Sequence, residues 1–323
     1  MIAPLFAVTN RLPDPALEAL RAAGELRADE REEALPREDL LALVAGADAV
    51  LTLLHDRADE ELLEAAGPQL RCVANVAVGY DNVDVAAAAR RGVVVTNTPG
   101  VLDDATADLS LALLLAATRR VAEGDRLIRA GRQWTWGMNF MLGSGLRGKL
   151  LGIVGLGGVG RRVAERARAF GMEIAYHGRH EAPAQVVAEL EARRLPFEQL
   201  LAEADVVSLH CPLTTETHHL IGAAELQAMK PGAVLINAAR GPIVDERALA
   251  AALQAGEIAA AGLDVYEHEP RVEPALLELN NVVLSPHLGS ATVETRTAMA
   301  ELAARNAISV LGGLGPLTPV APQ

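Results

Sequence analysis

The sequence is poor in aromatic residues, which make up only 3% of its 323 residues. Half of the residues are hydrophobic, so the core has to be built from Leu, Val, Ile and Ala. Strands rich in branched aliphatic residues are typical of parallel sheets that are covered on both faces. The composition therefore favours an α/β protein, and the length favours two domains.

Cysteine is also scarce, with Cys72 and Cys211 far apart and no CxxC motif. This spacing argues against a disulfide framework and a zinc site, so we expect no metal centre and a reducing, cytoplasmic location. The segment Met1–Val8 lacks the basic and apolar regions of a signal peptide. No uncharged apolar run reaches the roughly 18 residues that a membrane span requires, so we expect none.

The chain lacks positive charge overall, because 42 acidic residues outnumber 29 lysines and arginines and give a net charge of -13. This balance argues against nonspecific binding to nucleic acid or to an anionic membrane. It does not exclude an anionic small substrate, since one arginine can dominate the local field.

Strand and helix patterns alternate steadily from Leu5–Thr9 to Val93–Thr96, which predicts one small α/β domain. The turn Asn97–Gly100 interrupts this pattern and predicts a domain boundary. Six further strands match the count of a complete dinucleotide-binding fold. They are predicted at Leu151–Val154, Glu173–Tyr176, Val206–Leu209, Ala233–Asn237, Ala260–Leu263 and Val282–Leu284. One long helix is expected at Thr292–Leu311, followed by a loose tail.

A glycine motif lies between the apolar run Leu150–Val154 and a predicted helix at Arg161–Phe170. Its spacing is Gly155-x-Gly157-x-x-Gly160. Such a turn lets the first glycine bend sharply, the second admit a pyrophosphate and the third pack the helix on the strand. The position between strand and helix predicts a dinucleotide site, and the alternative is a structural turn without a ligand.

The end of the second strand of this fold indicates which dinucleotide binds. An enzyme that uses NAD places Asp or Glu about 20 residues past the turn, to bind the ribose 2′-hydroxyl. Here the strand ends in Tyr176-His-Gly-Arg-His180 without an acid. Arg179 can pair with a 2′-phosphate and His180 can add a contact, which predicts NADPH preference. The alternative is that Arg179 is a solvated loop residue and that NADH is also used.

Three polar residues, Arg240, Glu269 and His287, each follow a predicted strand. Ligands of open parallel sheets bind beyond the carboxyl ends of the strands, so we expect all three at one edge. His287 can exchange a proton near neutral pH. A buried Glu269 would favour its imidazolium form. Arg240 offers a donor fork for a carboxylate, and the set suits reversible hydride transfer to a 2-oxo acid.

Each of these residues also has a structural interpretation. His287 follows a proline and could be a satisfied structural histidine, and Arg240 could be a surface ion-pair partner. Glu267 and Glu269 could both be solvated loop charges. Composition and spacing alone do not decide between these alternatives.

Ordered motifs extend from about residue 70 to 290 and are far more specific than the glycine turn alone. They are Asn75–Asp84, Val95–Asp108, Gly155–Gly160, His210–Thr217, Asn237–Asp245, Gly262–Pro270 and Ser285–Gly289. In this order they resemble the D-isomer-specific 2-hydroxyacid dehydrogenase family, and most of all its glyoxylate/hydroxypyruvate reductase branch.

The resemblance implies two α/β domains. A Rossmann-type doubly wound parallel sheet, residues 98–288, would bind the cofactor. It would be inserted in a flavodoxin-like substrate domain formed by residues 1–97 and 289–323. The family also implies a homodimer in which Trp136 matches a tryptophan that reaches the neighbouring active site. The segment Met138–Met141 departs from the bulkier, more basic sequence of the branch.

The resemblance also implies residue roles. Arg240 matches the substrate-binding arginine, His287 the acid–base histidine and Glu269 its partner, whereas Glu267 does not. Backbone N–H groups of Val78 and Gly79 match those that hold the substrate carboxylate. Besides the glycine turn, Arg179 and His180, the expected cofactor contacts are Thr106, Gly158, Val159, Cys211, Pro212, Thr217, Ala238, Ala239, Arg240, Asp264, His287 and Gly289. For Cys211 a passive role beside the nicotinamide ribose is favoured over reactivity.

The implied reaction is NADPH-dependent reduction of glyoxylate or hydroxypyruvate to glycolate or D-glycerate. Alternatives are a dehydrogenase of another D-2-hydroxy acid, such as 3-phosphoglycerate, and a nucleotide-sensing binding protein of the same fold. Phosphoglycerate dehydrogenases usually carry an aspartate at the position that Gly178 occupies. Formate dehydrogenase relatives carry glutamine where Glu269 stands. For the binding protein we would expect an added protein-binding extension.

Overall fold

The computed structural model describes residues 3–321 and divides the chain into two compact units. The first unit contains the residues up to Leu102 and those from Ala291 onward, and the second contains Asp103–Ser290. The boundaries predicted from the sequence lie after residues 97 and 288. Residues 1–2, which begin the segment Met1–Val8, lie outside the described part, as do residues 322–323.

The first unit is built on a five-stranded parallel sheet. Its strands are β1 (Leu5–Val8), β2 (Glu25–Ala28), β3 (Ala49–Thr52), β4 (Cys72–Asn75) and β5 (Val94–Thr96). They lie in the order β2-β1-β3-β4-β5, which is the flavodoxin-like order. All residues of β3 and β4 are buried, as expected for central strands with helices on both faces.

Five helices accompany this sheet. They are α1 (Asp14–Ala23), α2 (Arg37–Val44), α3 (Glu60–Ala66), α4 (Val85–Arg90) and, near the C-terminus, α13 (Val293–Leu311). The side chains of Asp59 and Asp84 accept backbone N–H groups at the starts of α3 and α4, which is the role of an N-cap residue. The long α13 returns to pack on β3 and β4.

The expectation of a loose tail is wrong for the residues that follow α13. The N–H of Val320 donates to the carbonyl of Val95 at 2.9 Å, which extends the edge of the sheet beside β5. The buried Asn306 side chain accepts the N–H groups of Leu317 and Thr318 at 2.9 and 3.0 Å. The tail is therefore held by long-range hydrogen bonds, which glycine and proline content does not reveal.

The second unit is built on a seven-stranded parallel sheet. Its strands are β6 (Leu150–Val154), β7 (Glu173–His177), β8 (Arg193–Arg194), β9 (Val206–Leu209), β10 (Val234–Asn237), β11 (Ala260–Leu263) and β12 (Val282–Leu284). They lie in the order β12-β11-β10-β9-β6-β7-β8. The chain reverses direction across the sheet at β6, which is the switch point where such folds bind ligands. The predicted α/β class is confirmed, and β8 is added to the six predicted strands.

The helices of this unit cover both faces of its sheet. They are α5 (Asp103–Thr118), α6 (Val121–Arg129), α7 (Gly158–Ala169), α8 (Ala184–Leu190), α9 (Phe197–Glu203), α10 (Ala223–Ala228), α11 (Glu246–Ala255) and α12 (Pro274–Leu277), with a 3₁₀ turn at Gly241–Ile243. Alternate residues of a strand enter separate hydrophobic clusters: Leu151 and Ile153 one, Leu150 and Val154 the other. Within the described part of the chain, no helix is long and apolar enough to cross a membrane.

Candidate active site

The glycine turn connects β6 to α7 at the switch point of the seven-stranded sheet. Gly155 has φ +97°, a conformation that favours glycine. A Cβ on Gly160 would lie 2.2 Å from the carbonyl oxygen of Gly155, so α7 could not approach the strand as closely. The helix begins at Gly158 rather than at the predicted Arg161. Gly157 is its N-cap and Gly160 lies in its first turn, so both glycines already belong to the start of the helix.

Space for a ligand is found at the second glycine position. A Cβ on Gly157 would meet no atom of the described residues within 4 Å. Gly157 is the N-cap of α7, and no described side chain caps this helix end. The first N–H groups of a helix lack intrahelical partners and attract anions. This open, uncapped helix N-terminus fits the pyrophosphate of a dinucleotide.

The end of β7 carries two exposed residues with basic side chains. Arg179 and His180 are exposed just beyond the strand. Arg194 on β8 donates to the carbonyl of Gly178 at 3.0 Å and so holds this strand end. Burial raises the pKa of the Cys211 thiol to about 11, against smaller opposing effects of a backbone N–H and the Arg179 charge. Cys211 is therefore a neutral thiol near neutral pH, and its surroundings do not activate it.

The loop after β9 is closed by its own hydrogen bonds. The Thr217 hydroxyl donates to the carbonyl of Pro212 at 2.7 Å and accepts the N–H of Thr214 at 2.7 Å. The side chain of Thr217 thus shapes the segment in which the sequence predicts cofactor contacts.

The turn after β10 depends on a buried amide. Asn237 is 1% exposed, and its side-chain oxygen accepts the N–H of Ala239 at 3.1 Å. Its amide nitrogen donates to the carbonyl of Arg240 at 2.9 Å. These two bonds shape the turn from Ala238 to Arg240. This role of Asn237 is not among the predictions from the sequence, although a polar residue at the end of an apolar strand is a recognisable signal.

His287 and Glu269 are in direct contact. Nδ1 of His287 lies 2.8 Å from Oε2 of Glu269. The side chains of His287 and Glu269 are 24% and 30% exposed, so the carboxylate is not fully buried. Burial acts to raise the pKa of Glu269, but the hydrogen bond and charge of His287 outweigh it and leave that pKa below its ordinary value. The pair therefore suits a carboxylate facing an imidazolium.

Neighbouring backbone and buried polar groups fix this pair. Oε1 of Glu269 accepts the N–H of Tyr266 at 3.0 Å. The Asp264 carboxylate accepts the N–H groups of Leu288 and Gly289 at 2.7 and 2.8 Å, directly after His287. Both loops are thus held from within their own unit.

Arg240 lies at the same edge of the sheet. It follows β10, whose neighbour β11 leads to Glu269, and β12 beside β11 leads to His287. The Arg240 charge contributes to lowering the pKa of Glu269, although less than the direct bond with His287. The structure therefore brings these predicted residues together at one sheet edge. Glu267, by contrast, lies 2.8 Å from Nε2 of His219, away from this pair.

Other predicted cofactor positions converge beside the pair. A Cβ on Gly289 would lie 3.2 Å from Oδ2 of Asp264 and 3.4 Å from Oγ1 of Thr106. Thr106 and Asp264 are buried, at 6% and 1% exposure. Position 289 is therefore closely packed against both side chains, and its N–H group is bound to the Asp264 carboxylate.

The predicted substrate loop, which contains Val78 and Gly79, belongs to the first unit. The Asn75 side chain donates to the carbonyl of Gly79 at 2.9 Å, and that of Asn97 to the carbonyl of Val78 at 2.8 Å. Both carbonyls are therefore occupied, which fixes the orientation of this loop's peptide groups. The supporting role of Asn75 and Asn97 is not among the predictions from the sequence.

Trp136 is 74% exposed in the second unit, in the irregular segment that precedes β6. Trp134 stacks on Phe140 with ring centroids 6.0 Å apart, which stabilises this segment locally. The structure does not bring Trp136 to the other predicted site residues of its unit.

A doubly wound parallel sheet with a glycine turn at its switch point and a His–Glu pair at its carboxyl edge defines a nicotinamide-dependent oxidoreductase. Residues 111–289 match the family model described as the D-isomer specific 2-hydroxyacid dehydrogenase, NAD binding domain. The chain is 49% identical over 315 residues to a glyoxylate reductase from Thermococcus litoralis, covering 96% of this chain and 94% of that one.

Solved structures agree with this match. A Thermus thermophilus protein, TT0316, has a TM-score of 0.91 at 46% identity, covering 98% of this chain and all of that one. An NADPH-dependent glyoxylate/hydroxypyruvate reductase from Sinorhizobium meliloti, in complex with NADP and malonate, has a TM-score of 0.85 at 38% identity. The coverage is 99% of this chain and 97% of that one. The chain belongs to the D-isomer-specific 2-hydroxyacid dehydrogenase family and is an NAD(P)-dependent oxidoreductase.

Proposed function

We propose that this protein reduces glyoxylate and hydroxypyruvate to glycolate and D-glycerate, with NADPH as the preferred cofactor. The observation that carries the proposal is the 2.8 Å contact between His287 and Glu269, at a sheet edge shared with Arg240. The similarity to glyoxylate reductases supports this choice of substrate among the 2-oxo acids.

Each residue of the site has a defined task in this proposal. The bound cofactor supplies the hydride to the 2-carbon of the substrate. His287 donates a proton to the carbonyl oxygen as negative charge develops there. Glu269 stabilises the imidazolium form and holds the ring in place through Nδ1, which leaves Nε2 as the proton donor. Arg240 binds the substrate carboxylate with its donor fork.

We further propose that backbone N–H groups of Val78 and Gly79 bind the same carboxylate. The cofactor would be held by the glycine turn, by the loop Pro212–Thr217 and by the residues that converge at Gly289. The open helix N-terminus at Gly157 fits the pyrophosphate, and the neutral Cys211 fits a passive contact.

Activity on a panel of 2-oxo acids tests the proposed reaction. Purified protein is assayed with NADPH and with NADH by the loss of absorbance of the reduced nicotinamide. We expect the highest kcat/KM for glyoxylate or hydroxypyruvate with NADPH. Binding of NADPH without turnover of any 2-oxo acid would favour a nucleotide-sensing protein. Preference for a larger or phosphorylated acid would favour another D-2-hydroxyacid dehydrogenase.

The cofactor preference is proposed to depend on Arg179, which is exposed directly after Gly178, the position at which an NAD enzyme carries an acid. Arg179→Asp removes the cation and places an acid one residue past that position. We expect the KM for NADPH to rise and the KM for NADH to fall, while kcat at saturating cofactor stays similar. Unchanged KM values for both cofactors would exclude Arg179 from the choice.

We propose that the protein is a homodimer through α6 and the segment that contains Trp136. No residue of α6 is buried, and Val121 and Ile128 on this helix are each 58% exposed. Exposed apolar surface of this kind marks interaction sites. Trp136 would then contact the substrate of the neighbouring copy.

A further inference from the structure

The loop from Tyr266 to Glu273, which carries Glu269, is attached to a buried carboxylate outside the proposed catalytic set. Glu246 is 5% exposed. Its Oε1 accepts the N–H of Glu267 at 2.7 Å, and its Oε2 accepts the N–H of Glu273 at 3.2 Å. One side chain therefore binds both sides of the loop segment in which Glu269 lies.

Glu246 belongs to the helix α11 but is not needed to cap that helix. It is the first residue of α11, and the side chain of Asp245 already accepts the N–H groups of Arg247 and Ala248. The helix is anchored through buried apolar residues such as Leu249 and Leu253. The position of the Glu246 carboxylate is therefore set by the core, and the loop follows it.

A carboxylate at this position has a free-energy cost. Burial raises the pKa of Glu246, the two loop N–H groups oppose this, and the nearby negative charges of Glu267 and Glu273 add to it. Burial of an apolar residue would cost less free energy, but an apolar side chain could not accept two N–H groups. The residue type thus matches a requirement to fix the loop rather than to fill the core.

The loop is also confined on its other side. A Cβ on Gly241 would lie 1.8 Å from the carbonyl carbon of Tyr266, so the peptide that follows Arg240 packs directly on this loop. The contact between His219 and Glu267 adds a more exposed restraint. Displacement of the loop at Glu246 would therefore move Glu269 relative to His287 and to Arg240.

We propose that Glu246 is a positioning residue, which holds the Glu269 loop so that Glu269 stays in contact with His287. This inference rests on the proposed function of the His287–Glu269 pair. Glu246 touches neither member of the pair and acts only through the backbone of the loop.

Glu246→Gln tests the inference with a nearly isosteric change. The amide keeps one acceptor but turns a donor toward one of the two loop N–H groups. Loss of one such bond corresponds to a decrease in kcat of about tenfold. The KM for NADPH should stay unchanged, because Glu246 lies outside the proposed cofactor contacts.

Glu225→Gln is the matched control. Glu225 also accepts a backbone N–H, from Gly222 at 3.0 Å, but at the start of α10 and outside the Glu269 loop. We expect its kcat and its KM for NADPH to equal those of the wild type. An equal decrease of kcat in both variants would overturn the inference, since it would reflect general destabilisation.

A double-mutant cycle with Glu269→Gln separates positioning from a second, independent effect. If Glu246 acts through Glu269, its substitution should lower kcat by less than about twofold once Glu269 has been replaced. A full, additive decrease would contradict the inference. Should Glu246→Gln fail to fold, Glu246→Asp, which keeps the charge and withdraws the oxygens, replaces it in the cycle.

Hydrogen exchange gives a readout that does not depend on the reaction. The amides of residues 266–273 should exchange faster in Glu246→Gln than in the wild type or in Glu225→Gln. Unchanged exchange would overturn the inference even if the wild type shows no turnover, whereas absent turnover by itself would count against the proposed function.

Discussion

At the scale of the residue, His287 combines an unusual backbone with a partly exposed side chain. Its φ is +54°, in the left-handed region, which costs a non-glycine residue on the order of 1 kcal/mol or more. Its N–H donates to the carbonyl of Asp264 at 2.8 Å, and the Asp264 carboxylate accepts the next two N–H groups. The surroundings thus enforce a conformation that aims the imidazole at Glu269, as expected where geometry matters more than stability.

The His287 assignment predicts a large loss of rate upon substitution. General acid–base catalysis contributes about 10²–10⁴-fold, so His287→Ala should lower kcat by at least about 100-fold. The KM for NADPH should change little, and Glu269→Gln should lower kcat less than His287→Ala does. Steady-state kinetics on glyoxylate, with circular dichroism to verify folding, measures this. A rate near that of the wild type would remove His287 from the chemistry.

A second histidine, His210, makes stability depend on pH. Burial lowers the pKa of His210 to about 4 from its ordinary 6.5. Nε2 lies 2.8 Å from the Ser208 hydroxyl, and Nδ1 has no partner among the described residues. The unfolded chain therefore binds the proton more readily than the native protein. The contribution of the neutral His210 to the free energy of unfolding is complete above pH 6.5 and is lost as the pH falls toward 4.

His210→Gln keeps a donor for Ser208 and removes the titration. The difference between the two pKa values corresponds to about 3 kcal/mol. Between pH 6.5 and 4, the free energy of unfolding of the wild type should fall more than that of the variant, by up to this amount. Urea denaturation at several pH values measures both curves, and parallel curves would contradict the assignment to His210.

At the scale of the element, the β6–α7 turn separates glycines that serve the fold from one that serves a ligand. A Cβ at position 160 would clash with backbone, whereas one at position 157 would enter open space. Substitution by alanine should therefore lower the stability of the fold at position 160 and the affinity for the cofactor at position 157.

Gly160→Ala should lower the free energy of unfolding by about 1–3 kcal/mol, because the backbone of the turn must shift. Gly157→Ala should leave stability nearly unchanged but raise the Kd for NADPH, because its methyl group occupies the space assigned to the pyrophosphate. Gly232→Ala, which likewise adds a methyl group in open space, is the control. Thermal unfolding and fluorescence titration separate the effects, and unchanged NADPH binding in Gly157→Ala would move the pyrophosphate elsewhere.

The elements that sequence predicts best are those whose signal is local. The buried runs of β6 and β9 are apolar and bounded by turns, so the sheet could be predicted. The strand β8 was missed because its two arginines are exposed and carry no hydrophobic pattern. The role of Glu246 was missed for a different reason: it binds backbone N–H groups of a distant loop, and such partners have no sequence signature.

At the scale of the whole molecule, two properties oppose each other. A net charge of -13 disfavours association through repulsion between copies. Yet the second unit exposes Trp136 and Met138 at 74% and 77%, and Leu142 at 63%. Apolar surface contributes about 25 cal/mol per Å² when it is buried. The proposed dimer would therefore depend on this segment together with α6.

The double variant Trp136→Asp/Met138→Asp should abolish the proposed dimer. It places two negative charges where the second copy would pack, and a buried unpaired carboxylate costs several kcal/mol. Sedimentation or light scattering should give the mass of a monomer for the variant and of a dimer for the wild type. Val293→Asp, at a residue 81% exposed on α13 of the first unit, should leave the mass of the wild type unchanged. A monomeric wild type would contradict the proposed dimer, and a double variant with the mass of a dimer would place the interface outside this segment.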